Sequence, residues 1–126
     1  MKIKIYYASI FALVILLFNA CRKENQPVKP IPSTYFSATL QDNPAVFSNT
    51  KTITYINIKA GTNGWYLTQT PGNTWCVPDK NFGAGDFSLR VTINANATGA
   101  DRTTQIALTS TNKNLPAVTL SLTQSK

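Results

Sequence analysis

Beyond residue 34 the chain alternates apolar and polar positions with period two, the signature of strands with one buried face. The alternation is cleanest late in the chain, where Phe87, Leu89, Val91 and Ile93 are interleaved with Ser88, Arg90 and Thr92. Thr104, Ile106 and Leu108 repeat it, as do Val118, Leu120 and Leu122. Earlier segments read as shorter strands: Phe36 to Leu40, Ala45 to Phe47 after the Asn43-Pro44 turn, and the β-branched run Thr52 to Ile58. Trp65 with Leu67, and Trp75 to Val77, add two more. Turn signals separate them at Gly61 to Gly64, Pro71 to Asn73, Asn81 to Gly85 and Asn96 to Gly99. No stretch after Cys21 has helical periodicity. The pattern predicts an all-β fold, an immunoglobulin-like antiparallel β-sandwich of about seven strands.

The first 34 residues follow different rules. Lys2 and Lys4 precede an unbroken apolar run from Ile10 to Phe18, in the order and length of a secretory signal. That run falls short of the roughly 20 apolar residues that span a bilayer. Ala20, small enough for a peptidase pocket, stands directly before Cys21. Phe18-Asn19-Ala20-Cys21 resembles the lipobox of bacterial lipoproteins, although Phe18 and Asn19 depart from its commonest form. The resemblance implies cleavage before Cys21 and lipid on its thiol. Two or three acyl chains anchor stably, since each buried methylene contributes about 0.8 kcal/mol.

From Arg22 to Thr34, prolines at 27, 30 and 32 leave only Val28 and Ile31 apolar. This reads as an extended tether, reaching roughly 40 Å at about 3.1 Å per residue. Arg22-Lys23-Glu24 is similar to the charged export tags of some surface lipoproteins of the Bacteroidetes. The expected organisation is a signal peptide over residues 1–20, a lipid-anchored tether over 21–34 and one domain over 35–126. The expected location is the outer membrane, at the cell surface or on the periplasmic face.

Charge and composition narrow the chemistry. Without Lys2 and Lys4 the chain keeps 10 basic and 5 acidic residues, a net of +5, scattered rather than clustered. That spacing does not track a phosphate backbone, so nucleic acid is not the expected partner. No histidine is present, which excludes Ser-His-Asp, Cys-His and imidazole-metal sites. Asp79 and Asp86 flank the glycine-rich segment but read as turn residues, not as a glycosidase pair or a calcium loop. No metal, no cofactor and no enzymatic activity are expected. With Cys21 lipidated, Cys76 is the remaining thiol and reads as a packed core residue.

Aromatic side chains remain as binding candidates, because sugar rings stack their apolar faces on exposed rings while amides and hydroxyls meet their hydroxyl groups. Trp65 and Trp75 are expected in the core. Alternation then turns Tyr66 outward, and Phe82 is expected in a loop. These two are the candidate ligand-binding residues.

Taken in order, several pieces resemble the BACON domain, a family of small immunoglobulin-like modules of secreted and surface proteins in the Bacteroidetes. They are Trp65, Trp75-Cys76-Val77, the segment Asn81 to Asp86, Asn94-Ala95-Asn96, Thr98-Gly99, Arg102, the strand Gln105 to Ser110, and the closing Val118 to Gln124. The resemblance covers roughly residues 51–125. It implies a non-catalytic domain, often attached to glycan-degrading enzymes and named for carbohydrate binding. No enzyme follows the module here, which weighs against a spacer role. The expected partners are the membrane through Cys21 and a host or dietary glycan or mucin. The alternative is a structural or interaction module docking on a surface-complex protein.

Overall fold

The computed structural model describes residues 27–126. The signal segment, Cys21 and the first part of the tether lie outside the described residues. Nine strands form: β1 (Ser37–Leu40), β2 (Val46–Phe47), β3 (Thr52–Lys59), β4 (Gly64–Gln69), β5 (Cys76–Pro78), β6 (Phe82–Ala84), β7 (Phe87–Ile93), β8 (Arg102–Ser110) and β9 (Val118–Gln124). Among the described residues there is no helix. One sheet has the order β1-β3-β7-β5 and the other β2-β9-β8-β4-β6, and together they make an open sandwich. All pairings are antiparallel except β2 with β9, where Val46 and Phe47 run parallel to Thr123 and Gln124.

The core follows from the alternation. The four-stranded sheet turns Ala38, Ile56, Ile58, Leu89, Val91 and Ile93 inward, and the five-stranded sheet answers with Phe47, Trp65, Leu67, Ile106, Leu108 and Leu122. Because the side-chain period is two, most polar strand residues are sent to the outer face, while Thr54, Thr104, Ser110 and Gln124 fall on the inward positions and are buried. β2 is the two-residue core of the piece read at Ala45 to Phe47, and one short strand was not expected: β6, where the sequence predicts a turn.

β6 forms because Gly83 allows it. A Cβ built on Gly83 would sit 2.5 Å from Trp65 Cζ2 and 2.8 Å from Cε2. Glycine therefore lets β6 close down over the buried indole, and the segment pairs with β4 instead of looping away.

The two ends of the sandwich are closed differently. At one end the tail of the tether is bolted to the turns. Ser33 Oγ accepts from the Thr62 N–H at 2.9 Å, and the Ser33 carbonyl accepts from Asn63 Nδ2 at 2.9 Å and Asn112 Nδ2 at 3.1 Å. Thr62 Oγ1 also donates to the Ile31 carbonyl at 2.6 Å. Contacts of the folded body thus reach back to Ile31, several residues before β1. Gly61, at φ 57°, adopts the left-handed region there, and any Cβ would run into Ser33 Oγ.

At the opposite end Gln124 is fully buried. Its Nε2 donates to the carbonyls of Ser48 (2.9 Å) and Asn94 (3.0 Å), and its Oε1 accepts from Arg102 Nε at 2.9 Å. Arg102 Nη2 caps the Asn94 and Ala95 carbonyls, and its guanidinium lies 4.8 Å from the centre of the Trp75 ring. This is a cation–π contact inside a hydrogen-bonded cluster.

Candidate functional site

β4 and β6 bring together the two aromatic residues that the alternation singled out. Tyr66 pairs directly with Phe82 in the β4–β6 register, so both side chains leave the same face of the five-stranded sheet on neighbouring strands. Tyr66 is 46% and Phe82 75% exposed. Phe82 is a strand residue rather than the loop residue expected from its glycine-rich surroundings. Its outward direction follows from its neighbour: Gly83 must face the Trp65 indole, so the pleat sends Phe82 to solvent.

Beside this pair, the turn from β5 into β6 encloses a cleft of about 610 Å³ lined by Pro78, Asp79, Lys80, Asn81, Phe82 and Gly83. That volume lies within the range of small-ligand sites. Its two charged residues look away toward β7 of the other sheet. Asp79 Oδ1 pairs with Arg90 Nη1 at 3.4 Å, and Lys80 Nζ lies 4.7 Å from the centroid of Phe87. Phe87 in turn packs on Trp65, with ring centroids 5.9 Å apart. In the sequence Lys80 carried no signal and Asn81 only that of the turn and of the family resemblance; the path from β5 to β6 makes them part of a cleft wall.

The two tryptophans are core residues, Trp65 at 2% and Trp75 at 8% exposure. Neither offers a platform. Cys76 is buried as well, and burial in apolar surroundings pushes its thiol up to about 12, which leaves it protonated and a weak nucleophile at neutral pH. Asn96, read as a loop residue, is buried and ties the loop after β7 to the chain end, its Nδ2 donating to the carbonyls of Ala100 (2.8 Å) and Ser125 (2.9 Å).

Asp79 and Asp86 do not act together. Asp86 caps the turn after β3: its Oδ1 accepts from the backbone N–H groups of Ala60 and Gly61, both at 2.9 Å, and its Oδ2 pairs with Lys59 Nζ at 3.0 Å. The Gly61 N–H first, then Lys59 and the Ala60 N–H, hold its carboxyl below the usual aspartate value. Among the described residues no group of three or more His, Cys, Asp or Glu gathers where a metal could be held. Cys21, the lipidation candidate, lies outside the described residues.

A family model, BACON, described as "Putative binding domain, N-terminal", matches residues 64–125. Residues 64–125 are a BACON domain. The BACON segment runs from the start of β4 through β9. β1, β2 and β3 precede it, yet β3 pairs with β7 along seven residues and β2 closes the edge beside β9, so the sandwich is completed by chain outside the match.

Among solved structures, the fold resembles that of a Bacteroides ovatus GH5 xyloglucanase in complex with a XXXG heptasaccharide, with TM-score 0.58 and 21% identity. That match covers 71% of this chain and 19% of the xyloglucanase chain, so this protein spans about a fifth of that relative, and the likeness is one of fold. A further match is the ASH / PapD-like domain of human CEP192, at TM-score 0.45 and 9% identity over 85% of this chain and 95% of that one. No curated protein matches the chain.

Proposed function

We propose that this protein is a non-catalytic, lipid-anchored surface lipoprotein whose BACON domain captures carbohydrate. The observation that carries the reading is the directly opposed, exposed pair Tyr66 and Phe82 beside the cleft of about 610 Å³. Two aromatic rings on one face offer stacking surface for the apolar side of a sugar, and the Asn81 amide stands next to them for its hydroxyls. The description of the family as a binding domain supports this, and the xyloglucanase relative, solved with a heptasaccharide, is compatible with it. Lipid on Cys21 would hold the domain at the outer membrane.

The test is a screen of the full chain carrying Cys21→Ser against neutral glycans, acidic glycans and mucin, repeated with Tyr66→Ala and Phe82→Ala. Each aromatic substitution is expected to weaken binding about tenfold, equivalent to about 1.4 kcal/mol. Glycan binding that survives both substitutions unchanged would remove the aromatic pair from the site. Absence of any glycan binding would turn the reading to a protein partner, for which the exposed Val77 on the edge strand β5 and Ile53 on β3, flanking Thr92 of β7, are the apolar candidates. Anchoring is checked separately: Cys21→Ser is expected to move the protein from the membrane fraction to the soluble one, and continued pelleting would refute the lipid anchor.

A further inference from the structure

Strand order in the five-stranded sheet assembles a surface that no single strand reveals. Its outward residues form four cross-strand rungs. The first is Phe82–Tyr66–Thr109 and the second Thr68–Ala107–Thr119. Gln105–Ser121 and Thr103–Thr123–Val46 complete the set. None of these residues is charged. The nearest charged residues on the β5–β6 turn, Asp79 and Lys80, engage Arg90 and Phe87 of the other sheet. The outer face of the four-stranded sheet, by contrast, carries Lys59 and Arg90 among its outward positions.

The polar groups of this face are also not used within the fold. Among the described residues, the side chains of Thr68, Thr109, Thr119 and Ser121 make no hydrogen bond to another protein group, and Gln105 bonds within the protein only through its backbone. At Ala107, whose side chain is a single methyl group, the surface dips into a groove of about 380 Å³ walled by Thr68, Thr70, Gln105 and Thr119. Successive rungs lie roughly 7 Å apart, and the strands from β6 to β9 span roughly 14 Å. Threonine has few rotamers to lose, so its hydroxyls are ordered before a ligand arrives.

We infer that this face is the track of a neutral polysaccharide chain, which stacks on Tyr66 and Phe82 and continues through the groove over Ala107. The inference rests on the carbohydrate reading above and narrows it. Each hydroxyl on the track both donates and accepts, as a sugar hydroxyl does. A carboxylated or sulfated glycan would lose hydration on a face with no cation to receive it. A protein partner is disfavoured by the same composition, because stable interfaces centre on apolar and aromatic side chains, whereas here the centre is threonine, glutamine and alanine.

The test uses the full chain with Cys21→Ser, titrated with soluble uncharged β-glucan and hemicellulose oligosaccharides and with uronate-containing, sulfated and sialylated oligosaccharides at low and high salt. The expected result is binding to a neutral chain that is insensitive to salt, is lost at least tenfold on Ala107→Trp, and weakens on Gln105→Ala. Gln105→Ala leaves the groove open and serves if the tryptophan variant fails to fold. Salt-sensitive binding of acidic glycans in preference to neutral ones would overturn neutrality while leaving the carbohydrate reading intact. Neutral binding lost on Phe82→Ala but unchanged by both groove substitutions would overturn the track. No binding to any oligosaccharide would overturn the carbohydrate reading itself, and the inference with it.

Discussion

Replacing Gln124 by methionine keeps a side chain of similar length and removes only its amide. In the wild type that amide is fully buried and makes three hydrogen bonds, to the Ser48 and Asn94 carbonyls and from Arg102 Nε. In Gln124→Met the Asn94 carbonyl keeps Arg102 Nη2 at 2.9 Å, but the Ser48 carbonyl and the Arg102 Nε–H lose this partner. A buried polar group left unpaired costs about 1–3 kcal/mol; Ser48 is exposed and Arg102 half-buried, so water takes up part of the loss and the two together predict about 1–3 kcal/mol. For a domain near 100 residues, that lowers the melting temperature by roughly 5 °C or more.

The assay is urea unfolding of wild type, Gln124→Met, Arg102→Met and the double variant, followed by tryptophan fluorescence. Both tryptophans are buried, and Trp75 lies against Arg102, so the probe reports the cluster directly. The two substitutions should be non-additive, with a coupling energy of about 0.5–3 kcal/mol. A change within about 0.5 kcal/mol for Gln124→Met, the scale of an ordinary surface substitution, would refute the reasoning. It would mean that water replaces the amide and that the buried end of β9 does not lock the loops to the sheet.

Gly83→Ala places a methyl group 2.5 Å from the Trp65 indole and is expected to destabilise by about 1–3 kcal/mol through overpacking. Unchanged stability would show that β6 does not seat on Trp65. The lowered carboxyl of Asp86 contributes stability that is complete above its ordinary value of 3.8 and is lost as pH falls through the lower folded value. The melting-temperature difference between wild type and Asp86→Asn should therefore hold above pH 3.8 and shrink on acidification below it, and a pH-independent difference would refute the cap. Cys76, raised to about 12 by burial, should react with thiol reagents near pH 8 only as the domain unfolds, tested in a chain with Cys21→Ser; immediate stoichiometric labelling would place it at the surface.

Much of the architecture was legible because period-two alternation is a local property. Phe87–Ile93 reads directly as a half-buried strand, and burial of both tryptophans follows from the demand of a small sandwich for large inward side chains. β6 was not legible, since Asn81-Phe82-Gly83-Ala84-Gly85 has the composition of a turn and the reason it forms a strand is a distant indole. β2 was read as a short apolar piece at Ala45 to Phe47, but its parallel pairing was not legible, because two residues carry no period and the partner is almost 80 positions away.

The candidate site divides in the same way. Alternation alone turns Tyr66 outward, but only the β4–β6 register sets Phe82 beside it. That Thr103, Gln105, Thr119 and Ser121 are polar and outward is written in their own strands. That they share one uncharged face with Tyr66 and Phe82 depends on the order β2-β9-β8-β4-β6. Which side of most strands meets water is written locally, since a two-residue repeat turns one whole side inward once that side is apolar. Which outward sides lie next to one another is set only in the folded chain, because strand order and register are settled by packing between residues far apart in the sequence.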